Sequence, residues 1–279
     1  MPVRIVQSKQ NARLKELRKA LSLPDREGAR GLAGIEGPNL IEEALRAGLH
    51  IPCAFAALGF EHLLETLALP PETEILLMNR ELLDSALATK SPQPVAALVE
   101  PPDWTWAHLL DRHGTFVPLI AVLAGIQDPG NLGTILRSAE AFGADGVLAL
   151  PGTANAWNPK AVRASAGSIF RVPLLNVSVK DCFTHLRGAG VTIWTTTVGA
   201  AEPADLVDLT VPVAIIFGNE GNGVPASLAA KADGSVTIPC PGSVESLNAA
   251  VAASVMLYEA ARQRGRESSG HLDLRKGPR

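Results

Sequence analysis

The chain alternates short apolar runs with segments whose apolar residues recur every three or four positions. Near its start, Ala12, Leu14, Leu17, Ala20 and Leu21 fall at helical spacing among basic residues. That spacing predicts an amphipathic helix over residues 8–21, with Ser8 as N-cap. Charged, glycine-rich residues 25–34 read as a loop, and Glu36-Gly37-Pro38 introduces a helix over 39–47 that stops at Gly48. Strands are predicted at 52–58, 74–78 and 95–99, and helices at 62–67 and 80–88, the latter capped by Asn79. Residues 1–102 therefore read as a small α/β domain. Pro101-Pro102-Asp103 breaks the pattern, so residues 103–116 read as a connector or short helix.

A second alternation follows. A strand at 118–123 leads through the loop 125–130 into a helix beginning at Asn131. Its apolar set is Leu132, Ile135, Leu136, Ala139 and Phe142, with Gly143 just past its end. Strands are predicted at 147–150, 191–195 and 213–217, and a further one ends at Ile238. Helices are predicted at 159–167, 179–187, 226–231 and 249–264. Such alternation predicts an α/β fold, a parallel sheet covered on both faces, over residues 117–264. Residues 265–279 carry only two leucines and read as a basic, disordered tail.

Composition narrows the class. A 47% hydrophobic content supports sizeable cores, and no apolar run approaches the ~20 residues of a membrane span. Arg4, Lys9 and Arg13 have no apolar segment behind them, so the start is not a secretory signal. Cys53, Cys182 and Cys240 lie far apart and make no metal spacing; they read as buried, reduced thiols of a cytoplasmic protein. The net charge of −3 conceals an asymmetry, because residues 1–21 carry +5 and residues 262–279 carry +4, leaving −12 between them. Basic ends on an acidic body fit a polyanion held at chosen places; a solvated helix and a loose tail would give the same pattern.

Candidate chemistry gathers in the last third. Val213 to Phe217 runs into Gly218-Asn219-Glu220-Gly221-Asn222-Gly223, three glycines that let backbone approach a ligand. Glu220 sits there without an evident folding role. Val236 to Ile238 runs into Pro239 and then to Ser246, Leu247 and Asn248 before an Ala-rich helix. Strand exits carrying Glu, Ser and Asn are the signature of a ligand site at the carboxyl edge of a parallel sheet. On the helix after Asn131, Arg137 shares a face with Thr134 opposite the apolar stripe. Asn131 and Gly133 fall in the predicted first turn, where N–H groups are free for an anion. Surface exposure explains Arg137 and Glu220 equally well, and helix capping explains Ser246 and Asn248. There is no nucleophile elbow, dinucleotide fingerprint, kinase or P-loop signature.

Three blocks taken together change the picture. Asn131-x-Gly133-x-x-x-Arg137, Gly218-Asn219-Glu220-Gly221-x-Gly223, and Ile238-Pro239 with Ser246-Leu247-Asn248 resemble, in order and spacing, the SpoU–TrmH family of RNA ribose 2′-O-methyltransferases. Trp157 to Gly167 also looks like that family. The opening, Gln10-Asn11 through Glu36-Gly37-Pro38, is similar to the substrate-binding domain that many members carry in front. The resemblance spans about residues 4–264. It implies a SPOUT domain with a deep trefoil knot, S-adenosyl-L-methionine as cofactor, a homodimer, no metal, and RNA as substrate, with ribosomal RNA favoured over transfer RNA.

The resemblance also assigns residues. Arg137, Asn131, Glu220, Ser246 and Asn248 would be catalytic. Thr196, Thr197, Gly218, Asn219, Gly223, Ile238, Pro239 and Leu247 would hold the cofactor. Arg163 and Ser165 would contact RNA phosphate or support the pocket, and the helix from Ala249 to Ala261 would offer small residues to a dimer partner. The +5 charge of residues 1–21, which opens the proposed substrate domain, adds Lys9, Arg13, Lys15 and Arg18 as phosphate contacts. The alternatives are a catalytically silent RNA-binding protein on this fold, a tRNA ribose methyltransferase, and another doubly wound enzyme that binds a nucleotide at these glycines.

Overall fold

A computed structural model describes residues 2–22, 31–87, 89, 91–111, 117–199, 202–243 and 246–265. The expected tail lies outside these residues beyond Gly265. Two sheets organise the chain. The first contains β1 (Val3–Ile5), β2 (Ala33–Glu36), β3 (Cys53–Ala57), β4 (Glu74–Met78) and β5 (Val95–Val99), in the order β1-β4-β3-β5-β2. Its β1, β4 and β3 pair in parallel, whereas β5 pairs antiparallel with both β3 and β2. Helices α1 (Ala12–Ser22), α2 (Pro38–Arg46), α3 (His62–Glu65) and α4 (Arg80–Asp84) connect these strands.

After α5 (Trp106–Leu110), the second sheet contains β6 (Leu119–Ala124), β7 (Gly146–Ala149), β8 (Leu174–Asn176), β9 (Thr192–Thr196), β10 (Glu202–Pro203), β11 (Val213–Gly218) and β12 (Gly234–Thr237). Their order is β10-β12-β9-β11-β6-β7-β8, and every pairing is parallel. The helices between them are α6 (Pro129–Ala141), α7 (Pro159–Ser165), α8 (Val179–Gly188), α9 (Ala226–Ala229) and α10 (Ala249–Gln263). Strands β6 and β11 lie centrally. All six residues of β6, and Val213 to Phe217 of β11, are buried, as expected when helices cover both faces.

Several predicted boundaries need correction. The first helix starts at Ala12, and its cap is Asn11, whose Oδ1 accepts from Leu14 N; Ser8 forms the turn before it. The sixth helix starts at Pro129 rather than Asn131, with Asp128 as N-cap. Strands β1, β2, β8 and β10 carry only two to four residues each, too few for periodicity to show. Of the cysteines, Cys53 and Cys182 are buried, and burial above all pushes both thiols up to about 12. Cys240 is exposed, contrary to expectation.

The two sheets share a core. One apolar cluster runs from Ile35, Ile41 and Ala44 of the first unit to Val162, Ile169 and Phe170 of the second, and on to Leu136 and Met256. Arg171 braces the same junction, donating to Glu43 Oε2 on α2 at 2.7 Å and to both carboxylate oxygens of Glu140 on α6. The described part of the connector also packs: Leu109 is fully buried and Trp106 stacks on His185 at 4.1 Å. Arg264, counted in the net +4 of residues 262–279, closes α10 onto the sheet. Its guanidinium donates to the carbonyls of Leu209, Val117, Pro118 and Val211. Among the described residues, no helix is long and apolar enough to cross a membrane.

Candidate active site

The parallel register sets the strand exits side by side. Thr196 pairs with Val236, Thr195 with Ile216, and Gly218 with Ala124, so β12, β9, β11 and β6 end together at one edge. Loops leaving that edge carry most of the residues singled out above. Helix α6 rises from the loop after β6, and α7 packs against it so closely that a Cβ at Gly133 would lie 2.3 Å from Ala161 O. Gly133 is therefore a packing glycine. With Asp128 Oδ1 accepting from Gly130 N at 2.7 Å, the first turn of α6 is capped by a carboxylate, not left open for an anion.

Glu220 has a definite structural partner set. It accepts from Gln127 N at 3.2 Å, Asp128 N at 3.3 Å and Asn131 Nδ2 at 2.8 Å. It thus ties the loop after β11 to the start of α6. Asn248 Nδ2 donates to Asn131 Oδ1 at 3.2 Å, while Asn248 Oδ1 caps α10 by accepting from Ala250 N and Val251 N. Asn248, Asn131 and Glu220 form one chain across three loops. Burial pushes the Glu220 carboxyl upward, but the donors from Asn131 and from the Gln127 and Asp128 backbone outweigh it and leave it below the ordinary carboxylate value. Asp128 is also held low, first by Lys160 and then by the Gly130 N–H.

The glycine loop closes mostly on itself. Asn219 and Gly223 exchange backbone hydrogen bonds of 3.1 and 2.9 Å, Gly223 at φ +63°. A Cβ at Gly218 would lie 2.0 Å from Gly223 C, so no side chain fits there. Asn219 Oδ1 accepts from Gly221 N and Asn222 N, and its Nδ2 donates to Gly125 O at 2.8 Å. Beside this loop, Thr196 Oγ1 donates to Ile216 O at 3.0 Å and Thr197 N to Val236 O at 3.0 Å. Ile238 and Leu247 are half-buried, Pro239 exposed; among the described residues the backbone groups of Ile238 and Leu247 have no hydrogen-bond partner.

Other residues stand apart. Asn131, Thr134 and Arg137 succeed one another at three-residue steps on α6, and Thr134 and Arg137 are exposed. Neither the Arg137 side chain nor that of exposed Ser246 makes a hydrogen bond or ion pair among the described residues. Ser246 does not cap α10; Asn248 does. Ser165 is fully buried and donates to Val162 O, so it supports α7 and cannot meet RNA. Arg13 is held by Glu16 and Glu74, and Arg18 donates to Ser85 O, while the exposed side chains of Lys9 and Lys15 have no partner among the described residues. Sequence reading passed over Gln127, Asp128 and Lys160. The signal for Asp128 was present: an acidic residue followed by Pro129 at the first helical position is a start signature. No group of three or more His, Cys, Asp or Glu among the described residues is placed to hold a metal.

Residues 118–258 match the model of the SpoU rRNA Methylase family. The chain is 29% identical over 263 residues to the 23S rRNA (guanosine(2553)-2′-O)-methyltransferase RlmP of Bacillus subtilis (strain 168), covering 91% of this chain and 97% of the relative. It is 38% identical over 202 residues to the 23S rRNA (uridine(2479)-2′-O)-methyltransferase of Streptomyces viridochromogenes, covering 69% and 68%. The crystal structure of the SpoU methyltransferase AviRb from that organism, in complex with AdoMet, superposes with a TM-score of 0.79 at 30% identity, covering 93% of this chain and all of that one. With the strand-edge loops, the Asn–Asn–Glu chain and the match across the whole second sheet in hand, the chain belongs to the SpoU rRNA methylase family.

Proposed function

We propose that this protein methylates a ribose 2′-hydroxyl of ribosomal RNA, using S-adenosylmethionine. The observation that carries this reading is the Asn248–Asn131–Glu220 chain, which joins three loops at the carboxyl edge of the parallel sheet. The relatives named as 23S rRNA 2′-O-methyltransferases support the choice of RNA and of ribose. The unpartnered backbone groups of Ile238 and Leu247, beside the closed glycine loop and the exit of β9, fit an adenosine-bearing cofactor held by main chain.

The cofactor supplies an activated methyl and its leaving group when bound. This chain's residues then position the hydroxyl. Arg137 is the candidate for that task. Its exposed guanidinium, fixed on a helix but not paired, offers five donors to a phosphate or to the 2′-oxygen as negative charge develops there. Ionised Glu220 holds the Asn131 amide, whose oxygen in turn faces Asn248, and so fixes the floor beside it. Ser246, exposed near the same edge, is a further hydrogen-bonding group for substrate.

Two finer readings belong to this proposal. The C-terminal segment forms the deep knot expected from the resemblance; support comes from α10, which leaves β12 near one side of the sheet and returns to pack on central β11 and α6. The protein forms a homodimer through the outer face of α10. The alanines Ala250, Ala253, Ala260 and Ala261 face inward and are buried, while Ala249 and Ala252 are half-buried, so small residues make up little of that outer face. Val251, Val255 and Tyr258 remain exposed along one side of the helix. The test of function is incubation with methyl-labelled cofactor and deproteinised ribosomal RNA, followed by nucleoside analysis. Label should appear in one 2′-O-methylnucleoside; label on a base, or loss of transfer on adding a chelator, overturns the reading.

A further inference from the structure

Helix α7 joins two places that the sequence keeps apart. Its buried side, Ala161, Val162 and Ser165, packs inward, while Lys160 and Arg163 lie three positions apart on its exposed side. At one end, Lys160 Nζ sits 2.6 Å from Asp128 Oδ1, at the cap of α6 beside the Asn131–Glu220 contact. At the other end, Arg163 borders, with Leu21 at the end of α1, Gly34 to Glu36 of β2 and Leu40 of α2, the packed seam between the two units.

We infer that the exposed face of α7 carries the phosphodiester backbone of the RNA from the N-terminal unit to the active site, with Lys160 and Arg163 as its two contacts. This rests on RNA being the substrate. Lys160 uses one of its three ammonium donors on Asp128 and keeps its side chain 58% exposed. The Arg163 side chain makes no hydrogen bond or ion pair among the described residues. Carboxylates close to the path are already matched. Asp128 accepts from Lys160 and Gly130 N, and buried Glu36 accepts from Thr89 Oγ1 and Gln93 N. Asp128 matches the charge of Lys160, so the unpaired charge facing solvent along α7 is that of Arg163, and Lys160 adds its remaining ammonium donors. Residues at i and i+3 stand roughly 5–6 Å apart at Cβ, comparable to the step between neighbouring phosphates on one strand.

Rigidity favours a role beyond solvation. The close approach at Gly133 clamps α7 to α6, and Asn158 caps it by accepting from Lys160 N. Both cations are thus carried on a helix fixed against the one that bears Arg137. The apolar residues of the seam, Ile35, Leu40 and Val162, are buried in the cluster shared by the two units, and Leu21 is buried within the first, so they leave no apolar surface for a protein partner.

The experiment measures binding of deproteinised ribosomal RNA across a potassium chloride series for wild type, Lys160→Ala, Arg163→Ala and the double variant. Each lost phosphate contact should flatten the slope of log affinity against log salt by about 0.7–0.9, and the double variant by about twice that. Lys160→Arg and Arg163→Lys should keep the wild-type slope, and S-adenosylmethionine affinity should not move in any variant. An unchanged slope in the double variant, or equal losses in the charge-conserving variants, overturns the inference. Wild-type protein that neither binds nor methylates this RNA would instead sink the functional reading itself.

Discussion

Two glutamates, one from each sheet, show how the same residue type comes to different ends. Glu36 closes β2 and is 6% exposed; its carboxylate accepts from Thr89 Oγ1 and Gln93 N within its own unit. Glu220 follows β11, is exposed, and accepts from the start of α6 some 89 positions away in the chain. Both are satisfied by backbone N–H and a side-chain donor. Glu36 spends its acceptors inside a core junction and presents nothing to solvent. Glu220 spends them aligning a surface amide that other loops also reach. Chemistry at a strand end becomes a site when loops distant in sequence converge on it and leave a face open.

The comparison breaks most visibly at Arg137, the open side of that face. Arg137→Ala should lower kcat by about 10²–10³ while S-adenosylmethionine affinity stays within twofold. Near wild-type turnover would remove Arg137 from the catalytic set. Next comes Glu36→Ala, which strands two donors at a buried junction. It should lower the unfolding free energy by about 1–3 kcal/mol, read in a denaturant titration, and leave kcat of the folded protein unchanged. A large drop in kcat at full folding would show that the first sheet reaches into catalysis directly.

A smaller effect separates the carboxylates by pH. The Glu220 carboxyl is depressed in the folded protein, so its contribution is present above the unfolded carboxylate pKa of about 4.3 and is lost as pH falls through the lower folded value. Glu220→Gln should flatten the stability profile in that acid window and cost little stability difference below it. An identical acid limb in wild type and variant would contradict the hydrogen-bond assignment.

The smallest effect concerns the basic helix. Lys9, Arg13, Lys15 and Arg18 changed together to Ala should flatten the salt slope for RNA by about 0.7–0.9 for each free cation. Because Arg13 and Arg18 are occupied by Glu16, Glu74 and Ser85 O, Lys9 and Lys15 should account for most of the change. A slope equal to wild type would leave α1 as a solvated face.

Much of the second unit was legible beforehand. The runs at β6 and β11 are apolar, β-rich and short, because strands covered by helices on both faces cannot alternate. The face of α6 that carries Arg137 followed from helical spacing alone. Helix starts were misjudged where capping competed with motif: Asn131 opens the N-x-G-x-x-x-R block, but Asp128 and Pro129 open the helix. For Ser165 the structure leaves only the supporting reading, and for Arg264 it shows what the charge count could not. Polarity in sequence signals exposure, yet both are held by backbone carbonyls, Ser165 fully buried within its helix and Arg264 at the junction of α10 with the sheet.

What the sequence alone determined was the alternation of elements, the buried strands, and which polar residues lie in the loops after them, since these depend on local period and turn chemistry. Which loops meet was decided by tertiary structure. Asn248 reaches Asn131 across 117 positions only because the parallel order of β9, β11 and β6 sets their exits at one edge while α10 returns to lie against α6. Glycine roles were decided the same way. Gly133 and Gly218 look like ligand-approach glycines in the chain, but each is required because another segment of backbone occupies the place of its Cβ.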